Sequence, residues 1–270
     1  LTKRALASGT AALLTGIVNR LIIEQATVLR MYMMLLLAEL LLLLAGLWVL
    51  RGADRKKMSA GTFLYLSAVS VAGFLTHYDY WIFYAVTAAL FCLWLFCLGI
   101  KKEGKGFWRS WEFRYVAFWV GNFAVSLFVT IRLFPYCQWN LNRGKGQTAL
   151  YSLFDFSGKK LEQIAWGYQR LSASLFGDGT PAWLGLGVIF GSLVGGAVLL
   201  YRKKERMQLA GMILTVLAAQ AYQGIVCFTM PDVWEERYLS GDFTIMVLCA
   251  AWGVILMLQE LRSRLKAGER

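Results

Sequence analysis

The sequence predicts an all-α polytopic membrane protein: a bundle of about eight transmembrane helices with one longer outer loop that carries an amphipathic helix. Three observations predict this fold class. The 270 residues are 58% apolar and only 16% charged, which is too apolar for a soluble domain. Apolar runs near the bilayer-spanning length of about 20 residues recur along the chain. Basic residues gather in alternate loops between these runs.

The distribution of charge predicts the orientation of the runs. One set of alternate loops holds 19 Lys and Arg but 6 Asp and Glu, and the rest of the chain holds 9 and 10. This positive-inside pattern predicts that the basic loops and both ends of the chain lie on the cytoplasmic side of the membrane. It also accounts for the net charge of +12, so nucleic acid is not predicted as a partner. The basic loops are 3–4, 51–57, 101–114, 202–206 and 259–270.

The eight predicted spans form a single transmembrane domain over residues 1–270. Asn19 and Arg20 weaken the first span, and Glu39 lies within the second, where an acid is expected to face the bundle interior. Because the chain begins with Leu1 and lacks a signal-peptide cleavage pattern, we expect it to be the C-terminal part of a larger membrane protein. The spans are 6–23, 30–50, 60–75, 81–100, 115–134, 183–200, 209–230 and 243–258.

The longest non-spanning segment, 135–182, is predicted to lie on the outer face and to contain a helix. Its apolar residues recur at helical spacing, with Lys160, Gln163 and Arg170 on other faces. Ser157 is a suitable N-cap and Gly177 a suitable stop. The pattern indicates a helix on the membrane surface or against the bundle. The apolar positions are Leu161, Ile164, Tyr168, Leu171 and Leu175.

The five cysteines contain no CxxC pair, and four lie inside apolar runs, so they are interpreted as small hydrophobic residues and not as disulfides or a zinc site.

The segment 75–81, Leu-Thr-His-Tyr-Asp-Tyr-Trp, joins two predicted spans and holds the only histidine. Polar and ionisable groups at such a hairpin are costly unless they have partners or a task. Three further polar groups are predicted to reach the same outer face. The four groups are Arg30 with Tyr32, His77 with Asp79, Arg143 with Lys145, and Glu235 and Glu236 with Arg237 and Tyr238.

A cluster of cations and aromatic rings at headgroup depth suits a phosphate that carries a lipid tail. Arginine binds phosphate oxygens in a fixed fork and lysine supplies a point charge. Asp79, Glu235 and Glu236 are candidates either to accept a proton or, with His77, to hold a divalent cation; no other cofactor is predicted. Each group also has a plain interpretation, as a snorkelling arginine, a hydrogen-bonded turn histidine, a solvated loop or exposed acids.

Several short stretches resemble motifs of bacterial membrane glycosyltransferases of the GT-C class. Residues 75–78 resemble the "LTHYY" hairpin of family 39-like enzymes, which are related to protein mannosyltransferases and to the RgtA/B/C/D-like domain. Residues 29–32 resemble their "EaRmY" element, although Glu24 stands six residues before Arg30. Residues 134–135 with 143–149 resemble their "FP…RGxxA" stretch, with two additional residues. Residues 236–238 resemble their "RY" element.

The resemblance implies transfer of a sugar from a polyprenyl-phosphate carrier to an acceptor on the outer face of a bacterial-type plasma membrane. The acceptor is not identified. In this family the main catalytic acid lies in the first outer loop, which the resemblance places outside this chain. His77 and Asp79 would then support catalysis by orienting the phosphate, the acceptor or a metal. The substrate-binding residues would be Arg30, Tyr32, Tyr78, Arg143, Lys145, Glu236, Arg237 and Tyr238.

Two other functions fit the same fold class. A transporter or flippase of a lipid-linked or anionic solute would show broken helices and polar residues at mid-membrane. A non-catalytic membrane subunit that scaffolds a partner would tolerate the loss of His77 and Arg237.

Overall fold

The computed structural model describes residues 30–54, 59–77, 80–133, 158–177, 179–229 and 240–268. Side chains at 30–33, 54, 133, 229, 240–242 and 266–268 are outside this description. Within these ranges the chain forms eight α-helices and one 3-10 helix, and no strand. The prediction of an all-α fold is confirmed.

The helices follow one another with short connections wherever the structure describes both sides. A 3-10 helix, Gly104–Arg109, lies between α3 and α4. The eight helices are α1 Arg30–Asp54, α2 Ala60–Thr76, α3 Tyr80–Glu103, α4 Trp111–Leu133, α5 Gly158–Phe176, α6 Ala182–Arg202, α7 Arg206–Thr229 and α8 Ser240–Gly268.

Six of these helices have the length and apolar composition needed to cross a bilayer: α1, α3, α4, α6, α7 and α8. The seventh apolar helix, α2, is shorter, at 17 residues. The protein is therefore a polytopic helical membrane protein. Seven of the eight predicted spans correspond to these helices, and the first predicted span, 6–23, lies outside the described residues.

The described helices belong to two compact units. The N-terminal unit contains α1–α4 and residues 220–229 of α7, and the C-terminal unit contains α5, α6, α8 and the rest of α7. In the N-terminal unit, α1 packs against α2 and α3, and α4 packs against the same two helices. The four helices therefore follow the order α1, α2, α4, α3 around the bundle.

The N-terminal unit has two distinct ends. Arg51 of α1 and Lys101 and Lys102 of α3 lie at one end, which we call the basic end. His77 follows α2 at the opposite end, which we call the His77 end. Because α1 runs antiparallel to α2, Arg30 begins α1 at the His77 end.

The connection between α3 and α4 is more ordered than the loop predicted for it. We call residues 101–114 the basic corner. The predicted span began at Tyr115, whereas α4 begins four residues earlier, at Trp111. The reason is local capping: the Ser110 Oγ accepts the Phe113 N–H at 3.1 Å, and the Ser110 carbonyl accepts the Arg114 N–H at 3.3 Å.

In the C-terminal unit, α6 and α8 approach each other at glycines. A Cβ on Gly196 would lie 2.7 Å from the Cα of Gly253, and one on Gly253 would meet the carbonyl of Ser192. Small residues let membrane helices pack backbone to backbone, where lipid provides no hydrophobic drive for association.

Helix α8 continues ten residues beyond the predicted end of the last span, through the tail that was predicted as a loop. Ion pairs support this extension. The Glu260 carboxylate contacts the Lys203 Nζ at 2.9 Å and the Arg264 Nε at 3.0 Å, and the second of these is an i,i+4 pair. Alternating charges at helical spacing therefore continue the helix after the apolar run ends.

The predicted amphipathic helix is confirmed as α5, which ends before Gly177, whose φ of +99° favours glycine. Its apolar stripe is only partly buried in the protein: Leu171 is fully buried, but other positions of the stripe are not. Lys160 and Gln163, predicted on other faces, are buried, whereas Leu161 of the apolar stripe is 59% exposed. Ser172 lies directly against Gly185 of α6, and this close contact turns the small, polar side of α5 towards α6.

Candidate functional site

The hairpin at His77 is a tight turn between α2 and α3. The His77 N–H donates to the Gly73 carbonyl at 3.3 Å, and the His77 carbonyl accepts the Tyr80 N–H at 3.2 Å. With φ −152° and ψ 142°, His77 is extended and ends α2 as its C-cap. Its side chain is only 5% exposed. The prediction that a tight turn holds the single histidine is confirmed.

Burial changes what this histidine can do. Removal of the imidazole from water lowers the pKa of His77 to about 4, because burial disfavours the charged ring. The side chain is therefore neutral near pH 7. A neutral imidazole donates one hydrogen bond and accepts another, but it does not balance the charge of a phosphate. Any phosphate bound here needs its positive charge from arginine or lysine.

The other predicted site residues are placed only in part. Arg30 and Tyr32 lie in the first turn of α1, at the His77 end, and their side chains are outside the description. The remaining ones lie outside the described residues, so their convergence with His77 stays a prediction: Tyr78, Asp79, Arg143, Lys145, Glu235, Glu236, Arg237 and Tyr238.

Tyr80 fastens the hairpin to α2. Its ring lies directly on Gly73, where a Cβ would overlap the ring carbons. Its hydroxyl donates to the Val69 carbonyl at 3.3 Å, one turn further from His77. Phe74 packs edge-on against Tyr80, with ring centroids 5.5 Å apart. The first residue of α3 is thus held to the last turns of α2, so the two helices fix the position of His77 between them.

A buried hydrogen-bond network lies next to this Tyr80 contact, on the side away from His77, and it is centred on Asn122 of α4. The Asn122 Nδ2 donates to the Ser70 Oγ and to the Tyr84 hydroxyl, both at 2.8 Å. The Asn122 Oδ1 accepts the Ser67 hydroxyl at 2.8 Å. Ser70 in turn donates to the Leu66 carbonyl at 2.5 Å. One amide therefore connects α2, α3 and α4, and it satisfies polar groups that water cannot reach.

The interior of the N-terminal unit changes from apolar to polar towards the His77 end. At mid-bundle, Gly46 of α1 contacts Phe91 and Trp119, whose ring centroids are 5.5 Å apart. Further towards His77, the buried faces carry polar side chains on all four helices, which are Glu39, Ser70, Thr87, Asn122, Ser126 and Thr130. Polar groups at this depth are costly and usually serve function or specific packing.

Glu39 confirms the expectation that an acid inside a span faces the bundle interior, since it is almost fully buried. The acid of α1 therefore belongs to the polar interior of the N-terminal unit and does not face lipid.

Among the residues with described side chains, no three His, Cys, Asp or Glu groups come together as metal ligands. The predicted cation site required Asp79, Glu235 and Glu236, which lie outside that part of the chain.

Sequence reasoning missed Asn122 and its partners. A signal for them was present, because Asn122, Ser126 and Thr130 recur every four residues and place a polar stripe on one face of an apolar helix. The same holds for Ser67 and Ser70, three residues apart on α2. The stripes indicate buried polar faces, but they do not say which side chains meet.

Compared with known proteins, the chain matches no protein-family model, no curated protein and no solved structure.

Proposed function

We propose that the protein is an integral-membrane glycosyltransferase that moves a sugar from a polyprenyl-phosphate carrier to an acceptor on the extracytoplasmic face. The observation that carries this proposal is the hairpin at His77. A Leu-Thr-His-Tyr sequence that resembles the GT-C motif contains His77, which is buried and follows a helix that Tyr80 ties to the next one. The other GT-C-like stretches follow in the family's order along the chain.

The proposed chemistry breaks the bond between the sugar's anomeric carbon and the carrier phosphate. The electron pair leaves with the phosphate, an acceptor oxygen bonds to the anomeric carbon, and the acceptor's proton passes to a general base. The resemblance gives that base to an acid of the family's first outer loop, and no residue of this chain is assigned the role. Charge grows on the leaving phosphate, so fixed cations at low dielectric would lower the barrier.

The residues of this chain would bind and orient the substrates. Arg237 and Arg30 would hold the phosphate, with Arg143 or Lys145 beside them, since arginine forks match phosphate oxygens. Neutral His77 would hydrogen-bond to the phosphate or the acceptor, supported by Asp79. Tyr32, Tyr78 and Tyr238 would line the carrier and the sugar, and Glu236 would adjust the neighbouring Arg237.

The test uses membranes that contain the protein as its cell makes it. These membranes receive polyprenyl-phosphate-linked radiolabelled sugars, and label transferred to acceptors is counted. Removing one preplaced donor should slow transfer on the order of 10²-fold, so Arg237→Ala and His77→Ala should both lose most activity at normal abundance. Arg132→Ala is the matched control: Arg132 lies in the last turn of α4 and stacks on Phe128 at 5.6 Å, so its loss should leave transfer unchanged.

A transporter or flippase of a lipid-linked solute is a second candidate, because Glu39, Ser70 and Asn122 place buried polar groups inside helices at membrane depth. Against it, each spanning helix is continuous over the residues that the structure describes. Movement of labelled lipid across the bilayer without transfer to any acceptor would favour this candidate. Normal function of Arg237→Ala and His77→Ala would instead favour a scaffold subunit and contradict the enzyme.

A further inference from the structure

The basic corner is a rigid surface at the end of two membrane-spanning helices. Gly104, with φ +52°, turns the chain out of α3, and the 3-10 helix leads directly to Ser110 and α4. Phe107 points inward and lies on Gly99, where a Cβ would be 2.6 Å from the Phe107 ring. The Phe107 ring also packs edge-on against Phe96, with centroids 4.9 Å apart. One buried aromatic residue thus fixes the corner to α3.

A second contact fixes the corner to α4. The Lys102 Nζ lies 3.1 Å from the Glu112 Oε1, and Glu112 is buried. This pair leaves the acid of α4 unavailable to outside cations. Together with the Ser110 cap, it holds both helix ends in one geometry. Residues exposed on the corner are therefore presented in fixed positions and lose less conformational freedom on binding a ligand.

The exposed side chains of the corner are basic and aromatic. Lys101, Lys105, Arg109 and Arg114 are exposed, and within residues 101–114, all of which the structure describes, Glu103 is the one exposed acid. Trp108 is 67% exposed. The Arg114 guanidinium stacks on the Trp111 ring, 4.6 Å from its centroid. This combination of an indole and several cations is what interfacial anchors use.

We propose that the basic corner is a binding surface for the phosphate groups of anionic phospholipids. The partner follows from position: Ile100 of α3, which directly precedes Lys101, is exposed on the flank of a spanning helix. Lipid chains cover that flank, so their headgroups lie level with the corner. Trp108 enters the headgroup layer, and the cations select lipids with net negative charge. This inference is independent of the proposed transferase activity.

The test measures which lipids stay bound to the purified full chain. Protein reconstituted in an equimolar mixture of phosphatidylglycerol and phosphatidylcholine is extracted, and bound lipid is counted by native mass spectrometry. A basic residue near an anionic surface contributes roughly fivefold in binding, so Lys101→Gln/Lys105→Gln/Arg109→Gln should weaken phosphatidylglycerol retention on the order of tenfold or more. Phosphatidylcholine retention should not change.

A matched control removes three charges from another corner, Arg202→Gln/Lys204→Gln/Arg206→Gln between α6 and α7. It should weaken phosphatidylglycerol retention less than the basic-corner variant does, because charge acts at both corners whereas only the basic corner adds an exposed indole. Equal loss in both triple variants would overturn the proposal, because diffuse charge would then explain retention. Equal retention in the wild type and the basic-corner variant would also overturn it. If that variant fails to fold, phosphatidylglycerol retention by the wild type is measured at increasing salt concentration instead. Retention should fall steeply with salt, and retention that does not change with salt would contradict a phosphate-binding surface.

Discussion

Replacing Asn122 by alanine should lower the stability of the protein substantially, because one side chain holds three helices together. The substitution removes its hydrogen bonds to Ser67, Ser70 and Tyr84, each 2.8 Å long. Interhelical hydrogen bonds in membrane proteins average about 0.6 kcal/mol each and reach about 1.7 kcal/mol. We therefore expect a loss of about 2 kcal/mol, and at most about 5 kcal/mol. A loss of 2 kcal/mol lowers the folded-to-unfolded ratio about thirtyfold.

The assay is reversible unfolding in mixed micelles by increasing SDS, followed through helix content. Thr130→Val is the matched control on the same polar stripe, because the Thr130 hydroxyl bonds within its own helix, to the Ser126 carbonyl at 2.7 Å. Its loss should change the free energy of unfolding by less than about 0.5 kcal/mol, since its hydroxyl bonds within one helix and valine keeps the buried shape.

A double-mutant cycle with Tyr84→Phe isolates one of the three bonds. The coupling free energy between positions 122 and 84 should be about 0.6 to 1.7 kcal/mol. The reasoning is refuted if Asn122→Ala costs no more than Thr130→Val, or if the two positions show no coupling. Either result would mean that the network does not hold the helices together.

Three further predictions test other parts of the fold. Gly253→Val should destabilise the protein by about 3 kcal/mol, because the new side chain meets the backbone of α6. The loss is measured by SDS unfolding. Gly191→Ala is the control: a Cβ there lies in open space, so the substitution should be neutral or stabilising. Lys204→Gly should stabilise by about 1 kcal/mol, seen as a higher Tm, because Lys204 has a φ of 57°. His77→Gln should remove a pH dependence. With the His77 pKa lowered to about 4 in the folded state, its contribution is complete above pH 6.5 and is lost as pH falls towards 4. The contribution lost is about 3 kcal/mol. The free energy of unfolding of the wild type, measured relative to the variant, should therefore fall by that amount between pH 6.5 and pH 4. A difference that stays constant with pH would contradict the burial of a neutral His77.

The sequence predicts the helices far better than it predicts their contacts. Apolar length alone locates seven spans, because every backbone polar group in lipid must be satisfied within its own helix. The partners of Asn122 lie 38 to 55 residues away along the chain, and no local pattern specifies which helix faces which. The hydrogen bonds of the network therefore required the structure.

Helix α5 illustrates a different limit. Its periodicity correctly predicts a helix that stops at Gly177, but it left open whether the apolar stripe faces the membrane or the bundle, and the structure buries Leu171 while Leu161 stays exposed. In water, burying apolar surface decides which side of a helix turns inward. Beside a bilayer that preference is weak, and close packing of Ser172 on Gly185 decides instead. For such a helix, an apolar pattern read as in soluble proteins does not identify the side that packs against protein.

The hydrogen bonds of the Asn122 network identify its residues as a supporting frame below the His77 end. Both Nδ2 hydrogens of Asn122 are used by Ser70 and Tyr84, so this amide has no donor left for a substrate. The Ser70 hydroxyl hydrogen is likewise used, by the Leu66 carbonyl. These residues hold α2, α3 and α4, and through them the turn at His77. A substrate would have to meet the chain at His77 and beyond it. Substitutions in the frame should therefore lower stability and activity together, whereas His77→Gln should change activity at neutral pH through the lost imidazole contact and leave the Asn122 network intact.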